Sequence, residues 1–273
     1  MKKLPIIVLV LLALLCFVAC NDVTSSPDAA SNTENSNQPQ GQMELCERIA
    51  KSLSVNEIDK ATTLSSQLVK PLTSEEEATI MNALVQRVNN RMSVFSKSFG
   101  SKESLISDDI LNEIDKYQTI LNYVGITNND NTNIGDYLSQ VSALKVYSKY
   151  NDYWIYYYAT TDDWNSANQY WNYACDSYSD YMKNQHLTKS LNHFNTCLSR
   201  TYDYNSASFG IKEARDFLQI YVDKINYYFD TGKDLSIDYA KVSAYEKVTE
   251  EFLSKTTEFV NKLKSLPTSV YYD

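Results

Sequence analysis

Residues 74–100 read SEEEATIMNALVQRVNNRMSVFSKSFG. Met81, Leu84, Val88, Met92, Phe95 and Phe99 recur every three or four positions, so they fall on one stripe of an α-helix. Acidic residues crowd its start, where they favour the helix dipole, and Gly100 stops it. Ser74 and Glu77 have the spacing of a capping box. The same grammar repeats along the chain. Ile211, Ala214, Leu218, Tyr221, Ile225 and Tyr228 form a second such stripe, stopped at Gly232. Val242, Tyr245, Val248, Phe252, Phe259, Leu263 and Leu266 form a third, ended before Pro267.

Working outward, the pattern predicts helices over about 43–53, 55–69, 74–99, 108–124, 135–160, 162–183, 186–202, 211–230 and 237–266. Ser54-Val55-Asn56-Glu57 has capping-box spacing, and Ser107 and Thr161 stand where N-caps belong. No stretch reads as a strand, and the tail from Val270 onward is expected to add nothing. The fold class is all-α, with about eight helices in an antiparallel bundle or a short stack of helical hairpins over 42–273. Short loops make sequential helices antiparallel neighbours. Trp164-x-x-Ala167-Asn168-x-x-Trp171 is similar to the first helix of a tetratricopeptide unit, but the second-helix positions do not follow.

Residues 1–22 carry a different message. Lys2 and Lys3 precede an apolar run from Leu4 to Val18, then Ala19-Cys20-Asn21-Asp22. A charged start, an apolar run and a small residue before the cut make a secretory leader. The run of about 15 residues is short for a membrane span, which needs roughly 20. Phe17-Val18-Ala19-Cys20 resembles the cleavage site of bacterial lipoproteins, with Phe17 departing from the usual leucine. That resemblance implies a signal peptide over 1–19 and lipidation of Cys20 with acyl chains of the palmitate kind. Two or more chains anchor a protein stably, at about 0.8 kcal/mol per buried methylene. It also implies a bacterial cell-membrane location, lipid-anchored and facing the periplasm or the cell exterior. Residues 20–41 then form the lipidated cysteine and a disordered tether, since NDVTSSPDAASNTENSNQPQG contains almost nothing large and apolar to bury. As a random coil it would reach roughly 25 Å.

The chain has 43% hydrophobic and 22% charged residues and a net charge of −9. Loss of the leader removes Lys2 and Lys3 and no acid, giving −11. Such a domain is a poor partner for nucleic acid, whose phosphates dominate its recognition, and the acyl chains rather than charge must hold it to a membrane. Cys46, Cys175 and Cys197 follow Cys20, an odd number for an oxidising compartment. A Cys175–Cys197 bridge and three separate buried thiols both fit.

The unusual composition lies at 147–181, which holds thirteen tyrosines and tryptophans, including all three tryptophans of the chain. Tyr147, Tyr150, Trp154 and Tyr157 share one face, and Trp164, Ala167, Trp171, Ala174, Tyr178 and Tyr181 another. Stripes of this kind usually fill a seam between helices. Tyr153, Tyr156, Tyr170 and Tyr173 fall on other faces, so some rings are expected at the surface. With Asp152 and Asn168 interleaved, Trp154, Tyr157, Trp164 and Trp171 are candidate ligand contacts for a saccharide or peptide. His186, His193 and Cys197 share a helix face. The two histidines stand two turns apart, roughly 10 Å, too far to hold one ion unaided, so neither metal nor cofactor is expected. No HExxH, GxSxG or phosphate loop is present, and no catalytic residue stands out. The reading is a non-enzymatic, lipid-anchored envelope protein that presents a helical interaction domain to an envelope protein or glycan. Its rival is a ligand-binding lipoprotein with an aromatic groove.

Overall fold

A computed structural model of the chain describes residues 41–126, 132–238, 240 and 242–273. The leader, Cys20 and the tether up to residue 40 therefore lie outside the described residues. The helices are α1 (Gln42–Ser54), α2 (Ile58–Ser65), α3 (Ser74–Ser98), α4 (Asp108–Val124), α5 (Ile134–Ala143), α6 (Asn151–Cys175), α7 (Asp180–Thr201), α8 (Ile211–Thr231) and α9 (Ser243–Ser265). A 3-10 helix, Leu144–Tyr150, joins α5 to α6. Among the described residues there is no strand, and no helix is long and apolar enough to cross a membrane. The all-α reading holds.

The stripe that opened the argument is core: Met81, Leu84, Val88, Met92, Phe95 and Phe99 are all buried. The start of that helix is displaced by one residue from the expected box. Thr73 is the N-cap, accepting from the Glu76 amide at 3.3 Å while its own amide donates to Glu76 Oε2 at 2.7 Å. Ser54 is not a cap. It closes α1 and donates to the Lys51 carbonyl, and the chain turns at Asn56 with φ 67°. Ser107 stands at the N-cap of α4 without a side-chain cap bond. Thr161 does not start a helix either. Its hydroxyl donates to the Tyr157 carbonyl at 2.6 Å, the back-bond of a threonine inside a helix. The break expected at residue 161 therefore falls at 176–179, and α6 runs unbroken through it.

Neighbours in sequence are not always neighbours in space. In the first half α1 packs on α3 and α2 on α4, because the eight-residue link 66–73 lets the chain step over an adjacent helix. In the second half the expected hairpins form. Asp163 meets His193, Ala167 meets Ser190 and Thr160 meets Cys197, a falling register that makes α6 and α7 antiparallel. The α8 helix packs on α7, and α9 on α8 and the 3-10 helix.

Three asparagines hold irregular segments by pairing a side-chain amide with both polar groups of a backbone stretch. Asn151 donates to the Ile106 carbonyl at 2.9 Å and accepts its amide at 3.0 Å. Asn133 does the same for Ser269 O and Tyr271 N. Asn89 donates to Val270 O at 2.8 Å and accepts Val270 N at 2.9 Å. The last two strap the C-terminal tail across α3 and the start of α5, with Val270 buried and the Tyr272 hydroxyl donating to Glu77 at 2.8 Å. The tail is thus part of the fold, contrary to the expectation from its length. Replacing Asn89 by alanine strands two backbone groups, and we expect a loss of about 2 kcal/mol in urea unfolding. An unchanged midpoint would show that the strap is idle.

Candidate functional site

The aromatic segment is divided between core and surface, along lines different from those expected. Tyr153 and Tyr156, off the face chosen from spacing, are buried with Tyr147, Tyr150 and Trp154. The reason is that the first turns of α6 are covered on several sides. Phe252 of α9 packs 4.8 Å from the Tyr153 ring, Phe209 packs 5.8 Å from it, and the Trp154 indole N–H donates to the Ser101 carbonyl at 2.6 Å.

The six candidate ligand residues do not share one groove. Trp154 is core. Tyr157 packs on Phe252 and Tyr158, Trp164 on Phe194, Phe217 and Tyr245, and Trp171 on Tyr221. Asn168 donates to its own helix at the Trp164 carbonyl, 2.8 Å away. Asp152 accepts from Ser208 and alone of the six lines an open cleft of about 580 Å³, walled by Asp108, Ser148, Lys149, Asn151 and Phe209 among others. That cleft is polar and of mixed charge, without a stacked ring platform.

Nor does the His186, His193 and Cys197 face assemble a metal centre. Among the described residues no group of three histidine, cysteine or acidic side chains is placed to hold an ion. Cys197 faces the α6 seam, its thiol 3.7 Å from the Thr160 carbonyl, and burial with the nearby Asp163 charge pushes that thiol up to about 12. Cys46, Cys175 and Cys197 are all free, and only Cys46 and Cys197 are buried: Cys175, at the exposed end of α6, departs from the expectation of three buried thiols. A Cys175–Cys197 bridge is excluded by register, since Cys197 stands opposite Thr160 and Cys175 ends the same helix. Buried thiols of raised pKa are inert as nucleophiles.

What the spacing did not single out is the far end of the α6–α7 hairpin. Half of the large apolar side chains exposed among the described residues are Tyr173, Tyr178, Tyr181, Met182, Tyr227 and Phe229. They come from the end of α6, the turn after it, the start of α7 and the end of α8. Lys183 of α7 lies 5.8 Å over the Tyr228 ring, and the Cys175 thiol feels the charges of Lys183 and Asp234, so these three ends meet. Tyr178 is fully exposed, and the Tyr173 and Tyr181 hydroxyls are held by Gln169 and Gln185 at 2.8 and 2.6 Å. The available signal was the turn Asp176-Ser177-Tyr178-Ser179: an aromatic at a hairpin tip has no helix to pack against.

Over its 25 residues, α6 carries this end roughly 36 Å from residue 151, where Asn151 ties it to the first half. None of α6, α7 and α8 packs extensively along α1–α5. Comparison with protein families, with curated proteins and with solved structures gives no match for this chain.

Proposed function

We propose that this chain is a bacterial lipoprotein, anchored through acyl chains on Cys20, that presents a helical interaction domain in the cell envelope. The domain faces the periplasm or the cell exterior and makes contact through its exposed aromatic end. The observation that carries the anchor is the run from Lys2 to Cys20: a charged start, an apolar stretch too short to span, and a small residue before a cysteine. The exposed rings support the second half of the reading. Tyrosine joins an apolar body to a polar tip and is enriched where proteins bind partners. A cluster of such rings in a chain with a net charge of −9 suits an envelope protein or an uncharged glycan better than a nucleic acid.

The test compares the full chain with a Tyr178→Ser, Tyr181→Ser double variant for binding to purified cell-wall polymer and to solubilised envelope proteins. Both side chains are exposed, so the thermal midpoint should not move. We expect the variant to bind at least tenfold less. Equal binding by the two chains would remove the aromatic end from the reading.

A further inference from the structure

The segment after α9 is held by the body as an extended ligand is held. Five consecutive backbone groups, from the Ser269 carbonyl to the Tyr271 carbonyl, each meet a side chain of the first half: Asn133 donates to Ser269 O at 3.2 Å and accepts Tyr271 N at 2.9 Å, Asn89 takes both polar groups of Val270, and the Thr132 hydroxyl donates to Tyr271 O at 2.9 Å. The side chains alternate as in a strand. Val270 is buried and the Tyr272 hydroxyl donates to Glu77 at 2.8 Å, whereas Ser269 and Tyr271 are exposed. The frame of this groove has supports of its own, since α3 packs on α1, and α5 on α4 and the 3-10 helix. Leu266 is already extended, so only it and Pro267 join the segment to α9. Side-chain amides that pair with a backbone hold any sequence, and pockets for alternate side chains supply the choice.

We propose that the groove between α3 and the start of α5 is a recognition site for an extended peptide of another protein, with residues 269–272 as its resident occupant. The peptide it takes carries a branched apolar residue in the place of Val270 and, two positions later, a tyrosine whose hydroxyl reaches Glu77. The residues beside these two are free to vary, because Asn89, Asn133 and Thr132 read only their backbone. A tethered occupant acts at an effective concentration in roughly the millimolar range. It therefore keeps the site closed to weak competitors and yields to a partner that brings further contacts. This surface is independent of the aromatic end of the hairpin.

Full chain with Val270→Asp and Tyr272→Ser deprives the occupant of both side-chain contacts and frees the groove. The probe is a fluorescent alanine hexapeptide with valine at its third position and tyrosine at its fifth, followed by anisotropy. The freed chain should bind it saturably and at least tenfold more tightly than the unaltered chain does. Adding Asn89→Ala and Asn133→Ala should weaken that binding at least tenfold. Unchanged helical circular dichroism checks that the freed chain is folded. If that signal is lost, the unaltered chain carrying ¹³C-methyl valine is titrated with millimolar probe, and the Val270 signals should move to exposed positions with the probe but not with an all-alanine peptide. Val270 signals that stay in place overturn the proposal, as does a folded, freed chain that ignores the probe or binds it equally without Asn89 and Asn133. A groove that accepts only a peptide copied from residues 268–273 overturns it too, because the strap is then a private contact of the fold.

Discussion

Replacing Glu113 with alanine destabilises the chain by about 3–5 kcal/mol, the usual cost of stranding buried charge partners. Glu113 on α4 receives a two-point clasp from Arg91 on α3, at 2.9 and 2.7 Å, and a second guanidinium contact from Arg87 at 3.3 Å. The hydroxyl of Tyr117, whose side chain is fully buried, donates to the same carboxylate at 2.5 Å and accepts from Arg87 Nε at 3.0 Å. Arg87 also reaches Asn56 in the turn before α2. One carboxylate thus joins α3, α4 and the entry to α2, and alanine leaves two guanidinium groups and a buried phenol without it. Burial pushes this carboxyl up, but the Arg91 and Tyr117 hydrogen bonds and both guanidinium charges outweigh that and hold it below the usual glutamate range. Because its folded value is depressed, the contribution is complete above the unfolded value of about 4.3 and fades as pH falls through the folded one. Urea unfolding as a function of pH should show the alanine chain weaker at neutral pH, with the gap closing in acid. A gap independent of pH would mean the loss is packing alone.

The second large effect lies in the aromatic core. Tyr153→Ala should cost about 3–5 kcal/mol, the range for emptying a large aromatic site. The Tyr153 ring is in contact with Tyr156, Phe209 and Phe252, so its loss opens the junction of α6, α9 and the loop before α8. Gly210 shows how tight that junction is. Its φ is +71°, and a Cβ there would lie 2.6 Å from both the Tyr153 ring and Val248. Tyr153→Phe should cost about 1 kcal/mol, since only the hydroxyl is lost, with its 3.5 Å contact to Thr249 and its hydrogen bond with Tyr245. The pair of variants, compared by chemical denaturation, separates the ring from its hydroxyl. A mild Tyr153→Ala would mean that neighbouring rings collapse into the space.

These positions also show what the sequence discloses and what it withholds. The stripes of α3, α8 and α9 were legible because three-four spacing forces those side chains onto one face, and glycine stops such as Gly125 and Gly232 adopt the left-handed conformation expected of them. The first turns of α6 were misread because they are covered on more than one face, and periodicity registers only one. Thr161 was misread because a threonine hydroxyl satisfies a helix carbonyl as readily as it caps a helix end. The C-terminal strap left no periodic trace, since it is held by side-chain amides of Asn89 and Asn133 far away in the chain. The same holds for the aromatic end, where exposure of Tyr178 and Tyr181 depends on where two helices stop. The proposed lipoprotein leader rests on the sequence alone, and residues 1–40 lie outside the described residues.

Mass analysis of the mature N-terminus, from protein isolated in the membrane fraction of the producing bacterium, tests the central claim most directly. The account expects the chain to begin at Cys20 carrying two or three acyl chains, and a Cys20→Ser chain to leave the membrane fraction. A mature chain that begins elsewhere, or an unacylated Cys20 with unchanged fractionation, would contradict it.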